Sequence, residues 1–194
     1  LINKGEFKMN RCPWCKDNEI YIKYHDEEWG VPVHDDIKHF EFLVLESAQA
    51  GLSWITVLKK REEYRRVYDN FEPIKVSQYD DRKVNELVQN PGIIRNKKKI
   101  EASINNANKF INIQKEFGSF DNYIWSFVDG APLINKWEDI SKVPATSELS
   151  DRICKDLKSR GFKFLGSTII YAYLQAIGVI NDHIISCFRH TRIL

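Results

Sequence analysis

Apolar residues recur along most of this chain at intervals of three and four, the spacing that puts them on one face of an α-helix. The first such run spans Asp35 to Ala50, with Asp35 or Asp36 as cap and Ile37, Phe40, Leu43 and Val44 facing inward. Gly51 breaks it and leaves Leu52 at the tip of a short loop. Trp54, Val57, Leu58, Arg61, Tyr64 and Tyr68 predict one further helix with Lys59, Lys60, Arg65 and Arg66 outside, ended by Phe71-Glu72-Pro73. Asp80 or Asp81 caps a helix holding Val84, Leu87 and Val88, closed by Asn90-Pro91-Gly92. From Asn96 a long helix carries Ile100, Ile104, Ala107 and Ile111 along one stripe as far as Gly118. A shorter helix covers Tyr123 to Val128, and Ser147 caps another with Leu149, Ile153 and Leu157.

The stretch from Gly161 to Cys187 organises the rest. Gly161 can end the preceding helix in the left-handed conformation, and Gly166 sits in the tight turn that follows. Ser167 or Thr168 is placed to cap a core helix with Ile169, Ile170, Tyr173, Leu174 and Ile177, stopped by Gly178. The result is helix, glycine hairpin, helix. The exposed N-terminus of its second helix can hold a phosphate through backbone N–H groups, although such hairpins also serve as plain packing corners. Asn181 or Asp182 then caps a last helix with His183 and Cys187 four apart on one face. No strand, repeat or low-complexity segment stands out, so the fold class is all-α.

The segment from Arg11 to Pro32 is dense in aromatic residues and weakly periodic, which predicts an irregular arm that something must hold down. Cys12 and His25 can do so by joining His183 and Cys187 around one zinc ion, a closed Cys2His2 set of structural type. Cys12-Pro13-Trp14-Cys15 is also a Cys-x-x-Cys, open to redox chemistry or to a competing ligand. Four unrelated buried side chains are the plainer alternative.

Glu46 is the oddity of the Asp35–Ala50 run. It follows Phe42-Leu43-Val44-Leu45 and precedes Gln49-Ala50-Gly51-Leu52-Ser53-Trp54. A carboxylate there is either a functional group buried at a cost or a helix-end residue turned to water.

Composition narrows the class without choosing it. With 194 residues, 43% of them apolar, the chain can form one compact domain or two closely packed lobes. A net charge of +2 makes any basic surface local, as in the run Arg95, Lys97, Lys98, Lys99, which opposes the helix dipole and suits an anionic partner or plain solvation. Four cysteines in this setting suggest a reducing cytoplasm, and no apolar run approaches membrane-spanning length. Met9 is the only methionine, so residues 1–8 are expected to be a remnant of the expression vector, leaving 9–194 as the working chain.

Taken together, six motifs in order resemble the constitutive bacterial type of 3-methyladenine DNA glycosylase, within the helix-hairpin-helix superfamily. They are Arg11-Cys12-x-Trp14, Tyr21-x-x-Tyr24-His25-Asp26-x-Glu28-Trp29-Gly30-Val31-Pro32, and Glu46-x-x-Gln49-Ala50-Gly51-Leu52-Ser53-Trp54. Gly92-Ile93-Ile94-Arg95, Arg160-Gly161-Phe162-Lys163-Phe164 and Asn181-Asp182-His183-x-x-x-Cys187 follow. The resemblance implies a monomeric bacterial cytoplasmic enzyme that flips N3-methyladenine out of double-stranded DNA and hydrolyses its glycosidic bond. It implies Cys12, His25, His183 and Cys187 as zinc ligands, with Cys15 a departure from the family pattern. Glu46, with Tyr24, would read the base inside a pocket of Tyr21, Tyr24, Trp29 and Trp54, with Trp14 nearby. Lys163, Gly166, Ser167 and Thr168 would hold backbone phosphate, and Leu52, after Gly51, would fill the gap left by the flipped base.

That chemistry suits the residues. A flipped base is stacked between π-faces, and a cationic base is drawn to electron-rich rings. Asn181 stands where many superfamily members carry an aspartate, in keeping with a substrate that is already a good leaving group. Two rivals differ in one feature each. A non-catalytic zinc-stapled lesion-binding module has no need of Glu46 in an aromatic pocket, and a zinc hydrolase needs an open metal position that four protein ligands do not leave.

Overall fold

The computed structural model describes residues 9–191, so residues 1–8, with the expected vector remnant, lie outside the described residues. The chain is built of α-helices around α2 (Asp36–Gln49), which packs against α3 (Trp54–Leu58), α7 (Lys97–Phe117), α8 (Phe120–Trp125) and α10 (Ser167–Ala176). Every residue from His39 to Ala48 is buried, which is why α2 lacks a clean polar face. Asp35 caps it through Lys38 N at 2.8 Å. Ile37, expected inside, is exposed, because burial of α2 begins only at His39.

The N-terminal arm is less irregular than its sequence suggests. After a 3₁₀ turn at Pro13–Cys15 it forms α1 (Glu19–Glu27), capped by Asn18, whose Oδ1 accepts from Tyr21 N at 3.1 Å. The helix is short, and its apolar residues Ile20, Tyr21, Ile22 and Tyr24 fall on more than one face, which hides its period. The arm then docks on the end of α10. Gly30 N donates to Gln175 O at 2.9 Å and Val33 N to Ile177 O at 3.0 Å. Gly178 makes this approach possible: its φ is +72°, and a Cβ there would lie 2.4 Å from the Val31–Pro32 backbone.

The single helix expected from Trp54 to Tyr68 is broken into α3 and α4 (Arg61–Val67) at Lys59-Lys60. Arg61 faces inward as its place in that period predicts, its Nε donating to Glu41 at 2.8 Å and its Nη1 to Glu28 at 2.8 Å. Pro73, expected only to end a helix, also opens α5 (Pro73–Ser77), since the first helical position tolerates its missing N–H. α6 (Asp81–Gln89) and α7 begin at Asp80 and Asn96 as their cap signals require. In α7 the buried stripe runs through Ile100, Ala107, Phe110 and Ile113, and Ile104 and Ile111 are only half-buried. α8 starts at Phe120, ahead of the expected Tyr123, because Ser119 caps it.

α9 (Glu148–Ser159) opens with a reciprocal Ser147–Ser150 cap and leads through residues 160–166 into α10. Gly166 is the N-cap of α10, and neither Ser167 nor Thr168 caps it, because both already lie inside the helix. Two features depart from the all-α reading. β1 (Leu133–Ile134) pairs in parallel with β2 (Ile180–Asn181), a two-residue bridge too short to show a period. Residues 182–191 form turns in place of a capped helix, since Asn181 and Asp182 spend their side chains on other contacts. No helix among the described residues is long and apolar enough to cross a membrane.

Candidate functional site

A cavity of about 440 Å³ opens between the arm, the end of α2, the start of α3 and α10. Trp14, Tyr21, Tyr24, Trp29 and Trp54 line it together with Glu46. The rings brace one another edge-on: Trp14 lies 5.5 Å from Tyr21 and 5.1 Å from Trp29. Tyr21 is fixed from outside by its hydroxyl, which accepts from Ile55 N at 2.9 Å. All six residues singled out for a base pocket therefore share one wall.

Glu46 is 4% exposed and makes no hydrogen bond or ion pair among the described residues. Burial alone pushes its carboxyl up to about 8, which favours the neutral acid at pH 7. A partnered, ionised carboxylate is thus not what the helix end provides. Tyr24 beside it is raised well above the ordinary phenol range by burial, then by the charges of Glu46 and Glu28. The Trp54 indole N–H is buried and turns to the Tyr24 hydroxyl without a full hydrogen bond. An aromatic cavity with a free carboxyl can take a flat, cationic, hydrogen-bonding guest.

The Cys12, His25, His183 and Cys187 donor atoms lie within 4.8 Å of one another, all buried. The two rings are oriented from behind. His25 Nδ1 meets Asp26 Oδ1 at 2.7 Å, and Arg11 holds that carboxylate in turn at 2.7 Å. His183 Nε2 donates to Trp29 O at 3.0 Å, which leaves Nδ1 facing Cys187 Sγ at 3.5 Å and Cys12 Sγ at 3.6 Å. Outer partners of this kind fix which ring nitrogen serves as a ligand. The hydrogen bond between Cys12 and Cys187 draws the Cys187 thiol down and pushes the Cys12 thiol up. The set suits a tetrahedral metal with two sulfur and two nitrogen ligands. Cys15 is buried as well but does not belong to the group, and all four cysteines are free thiols.

Sequence reasoning missed the far wall of the cavity, made by Gln49, Tyr171, Gln175 and the loop residues Ile140, Val143, Pro144 and Ala145. Asp182 organises much of it. Its Oδ2 accepts from Tyr171 OH at 2.6 Å and Gln175 Nε2 at 2.7 Å, and its Oδ1 from Trp137 Nε1 at 2.6 Å and Asn135 Nδ2 at 2.7 Å. The sequence marked it only as a candidate helix cap beside Asn181. Asn181 lies off the cavity, donating to His190 O at 3.1 Å and accepting from His183 N at 3.1 Å.

The residues expected to meet DNA divide into two groups. Gly51, at φ +82°, turns the chain out of α2 and leaves Leu52 39% exposed. Lys163 is exposed in the 161–166 hairpin, where Gly166 leaves the first amides of α10 without a side-chain cap. Ser167 Oγ is taken by Ser150 Oγ at 2.7 Å, and Thr168 lies on the rim of the aromatic cavity.

The family model described as methyladenine glycosylase matches residues 14–190. DNA-3-methyladenine glycosylase 1 of Escherichia coli (strain K12) is 46% identical over 179 residues, 92% of this chain and 96% of that protein. A crystal structure of a 3-methyladenine DNA glycosylase I superposes with a TM-score of 0.90 at 49% identity, covering 92% of this chain and 98% of the other. The Staphylococcus aureus 3-methyladenine DNA glycosylase I, solved to explain 3-methyladenine recognition, gives a TM-score of 0.89 at 38% identity, covering 93% and 96%.

Proposed function

The chain belongs to the methyladenine glycosylase family, and on that premise we propose that it releases N3-methyladenine from alkylated DNA by hydrolysis of the N-glycosidic bond. One observation carries the reading: a buried carboxyl without a partner, Glu46, inside a cavity walled by six aromatic residues.

The N3-methylated base is a cation, and stacking between electron-rich faces stabilises it out of the helix. Its charge favours the ionised form of Glu46, which then accepts from the adenine amino group and offers nothing to a guanine carbonyl. In the reaction the C1′–N9 bond breaks with its electron pair going to the base, water adds at C1′, and the water's extra proton leaves to solvent. Asp182 is committed to four hydrogen bonds and Asn181 faces away, so neither is free to activate that water. A substrate that arrives as a good leaving group reduces that demand. The Glu46 cavity is also what separates this reading from a zinc-stapled lesion binder without activity.

Zn²⁺ fits the Cys12, His25, His183 and Cys187 set, and when bound it supplies a structural cross-link between the arm and the C-terminal turns. Leu52 is the wedge that enters the space of the flipped nucleotide, and Lys163 with the amides at Gly166 to Thr168 grips phosphate, a helix-hairpin-helix use of the α9–α10 connection. We read residues 9–194 as one monomeric domain of two closely packed helical lobes, working on double-stranded DNA in the cytoplasm. Incubating the protein with methylated DNA and identifying the released base by chromatography tests the reading. Free 3-methyladenine is expected, and release of no base would overturn it.

A further inference from the structure

α7 touches both loops proposed to meet DNA, at points seven residues, or roughly 10 Å, apart. At its middle, Asn106 Nδ2 donates to Lys163 O at 2.9 Å and its Oδ1 accepts from Lys163 N at 2.8 Å. Asn105 Nδ2 adds a bond to Gly161 O at 2.9 Å. In its first turn, Lys99 Nζ donates to Ala48 O at 2.8 Å and Ala50 O at 2.7 Å. Carbonyls at the end of a helix have no intrahelical partner, and a cation there also meets the favourable end of the dipole. The same ammonium stands 5.8 Å from the centre of the Phe164 ring, in the hairpin.

The rest of the charge run behaves differently. Arg95, Lys97 and Lys98 are exposed, and only Lys99 turns inward. From the carbonyls it holds, the chain passes at once to the wedge. Gln49 Nε2 donates to Leu52 O at 2.7 Å, and Leu52 N donates to Gln49 O at 2.7 Å. Gln49 also lines the aromatic cavity.

We propose that Lys99 is a positioning residue that pins the Gly51–Leu52 loop at a fixed spacing from the 161–166 hairpin, so that wedge and phosphate grip engage one duplex together. This rests on the reading of Leu52 as the wedge and of the hairpin as the grip. A single strand needs no wedge, and free base needs neither loop. Loss of the ammonium therefore acts on duplex substrate alone.

The test is single-turnover release of 3-methyladenine from one methylated sequence, as duplex and as single strand, by wild type, Lys99→Met, Leu52→Ala and the double variant. Methionine keeps the length of the stem and removes the charge and its donors. Lys99→Met is expected to lower the duplex rate by about tenfold and to leave the single-strand rate within about twofold. The double variant should be no slower than Leu52→Ala, Lys99→Arg should recover most of the loss, and binding of free 3-methyladenine should not change. An unchanged duplex-to-single-strand ratio in Lys99→Met, with a lowered ratio in Leu52→Ala, overturns the role of Lys99 and spares the wedge. A ratio unmoved by Leu52→Ala overturns both. If Lys99→Met melts early, Lys99→Gln, which keeps a donor, is judged by the same ratio.

Discussion

His183 and Trp29 are joined twice: the His183 Nε2 proton is donated to the Trp29 carbonyl at 3.0 Å, and the two rings meet edge-on at 4.5 Å. One residue faces the candidate metal and the other walls the aromatic cavity, so the two centres share a wall. Occupancy of the metal site should therefore set the shape of the base pocket as well as the hold on the arm.

Purified protein is expected to carry one zinc per chain, measured by atomic emission. Cys12→Ala and Cys187→Ala should lose it, with a fall in melting temperature and in affinity for free 3-methyladenine. Cys15→Ala should keep it. Asp26→Ala removes the outer partner of His25, together with the carboxylate that Arg11 holds, and should weaken zinc binding about 10- to 100-fold. Full zinc in Cys12→Ala would show that the ligand set is wrong.

Glu46 makes stability depend on pH. Its carboxyl is raised to about 8 in the folded chain, from 4.5, so the native state holds a proton that the unfolded state has released. Its contribution is thus intact below pH 4.5 and is lost as pH rises towards 8. Glu46→Gln removes the titration. It should melt close to wild type at pH 5 and be the more stable protein at pH 8.5, by up to about 5 kcal/mol. Parallel melting curves at both values would show that Glu46 does not titrate in this range.

Ligand binding should run the other way. A fixed cation in the cavity favours the carboxylate, so binding releases a proton below pH 8, and affinity for an N3-methylated adenine nucleotide should rise from pH 6 to about 8 and then level. In Glu46→Gln the profile should be flat and weaker by about 1.5–3 kcal/mol, the worth of one charged hydrogen bond. Fluorescence titration across this range decides it.

Asp182→Asn leaves the shape and removes the charge. The new amide must point N–H groups at donors on one side, where Tyr171 and Gln175 or Trp137 and Asn135 now donate. A loss of about 1–3 kcal/mol of stability is expected for each group left unpaired. Base binding should weaken with it and zinc content should hold. Unaltered base affinity would detach Asp182 from the pocket.

Lys163→Ala should weaken binding to every duplex alike and flatten the log–log salt dependence by about one unit. Weakening confined to methylated DNA would move Lys163 from the phosphate grip to the base.

Some of this was legible in the order of residues alone. Helix starts at Asp35, Asp80, Asn96 and Ser147 were readable because a cap is a local device, a side-chain oxygen reaching an amide two or three residues on. Cys12, His25, His183 and Cys187 were picked from four cysteines and five histidines by the family resemblance, and the aromatic residues of the arm showed by density. The two ligand pairs are far apart in sequence, and only docking of the arm on α10 across Gly178 brings them within 4.8 Å.

What depended on distant neighbours was not legible. Arg61 stood on the inward face of the expected helix, but the break between α3 and α4 was not readable, and the partners that hold Arg61 there, Glu28 at the end of α1 and Glu41 on α2, are distant in the chain. Asp182 looks like a helix cap until Tyr171, Gln175, Asn135 and Trp137 are seen to converge on it. Lys99 looks like its exposed neighbours until the end of α2 arrives beneath it. Glu46 was visible as an anomaly, but its protonation was not. A carboxyl's charge is set by what surrounds it, and the sequence lists the atoms nearby in the chain, whereas burial and the absence of a partner are properties of the folded space.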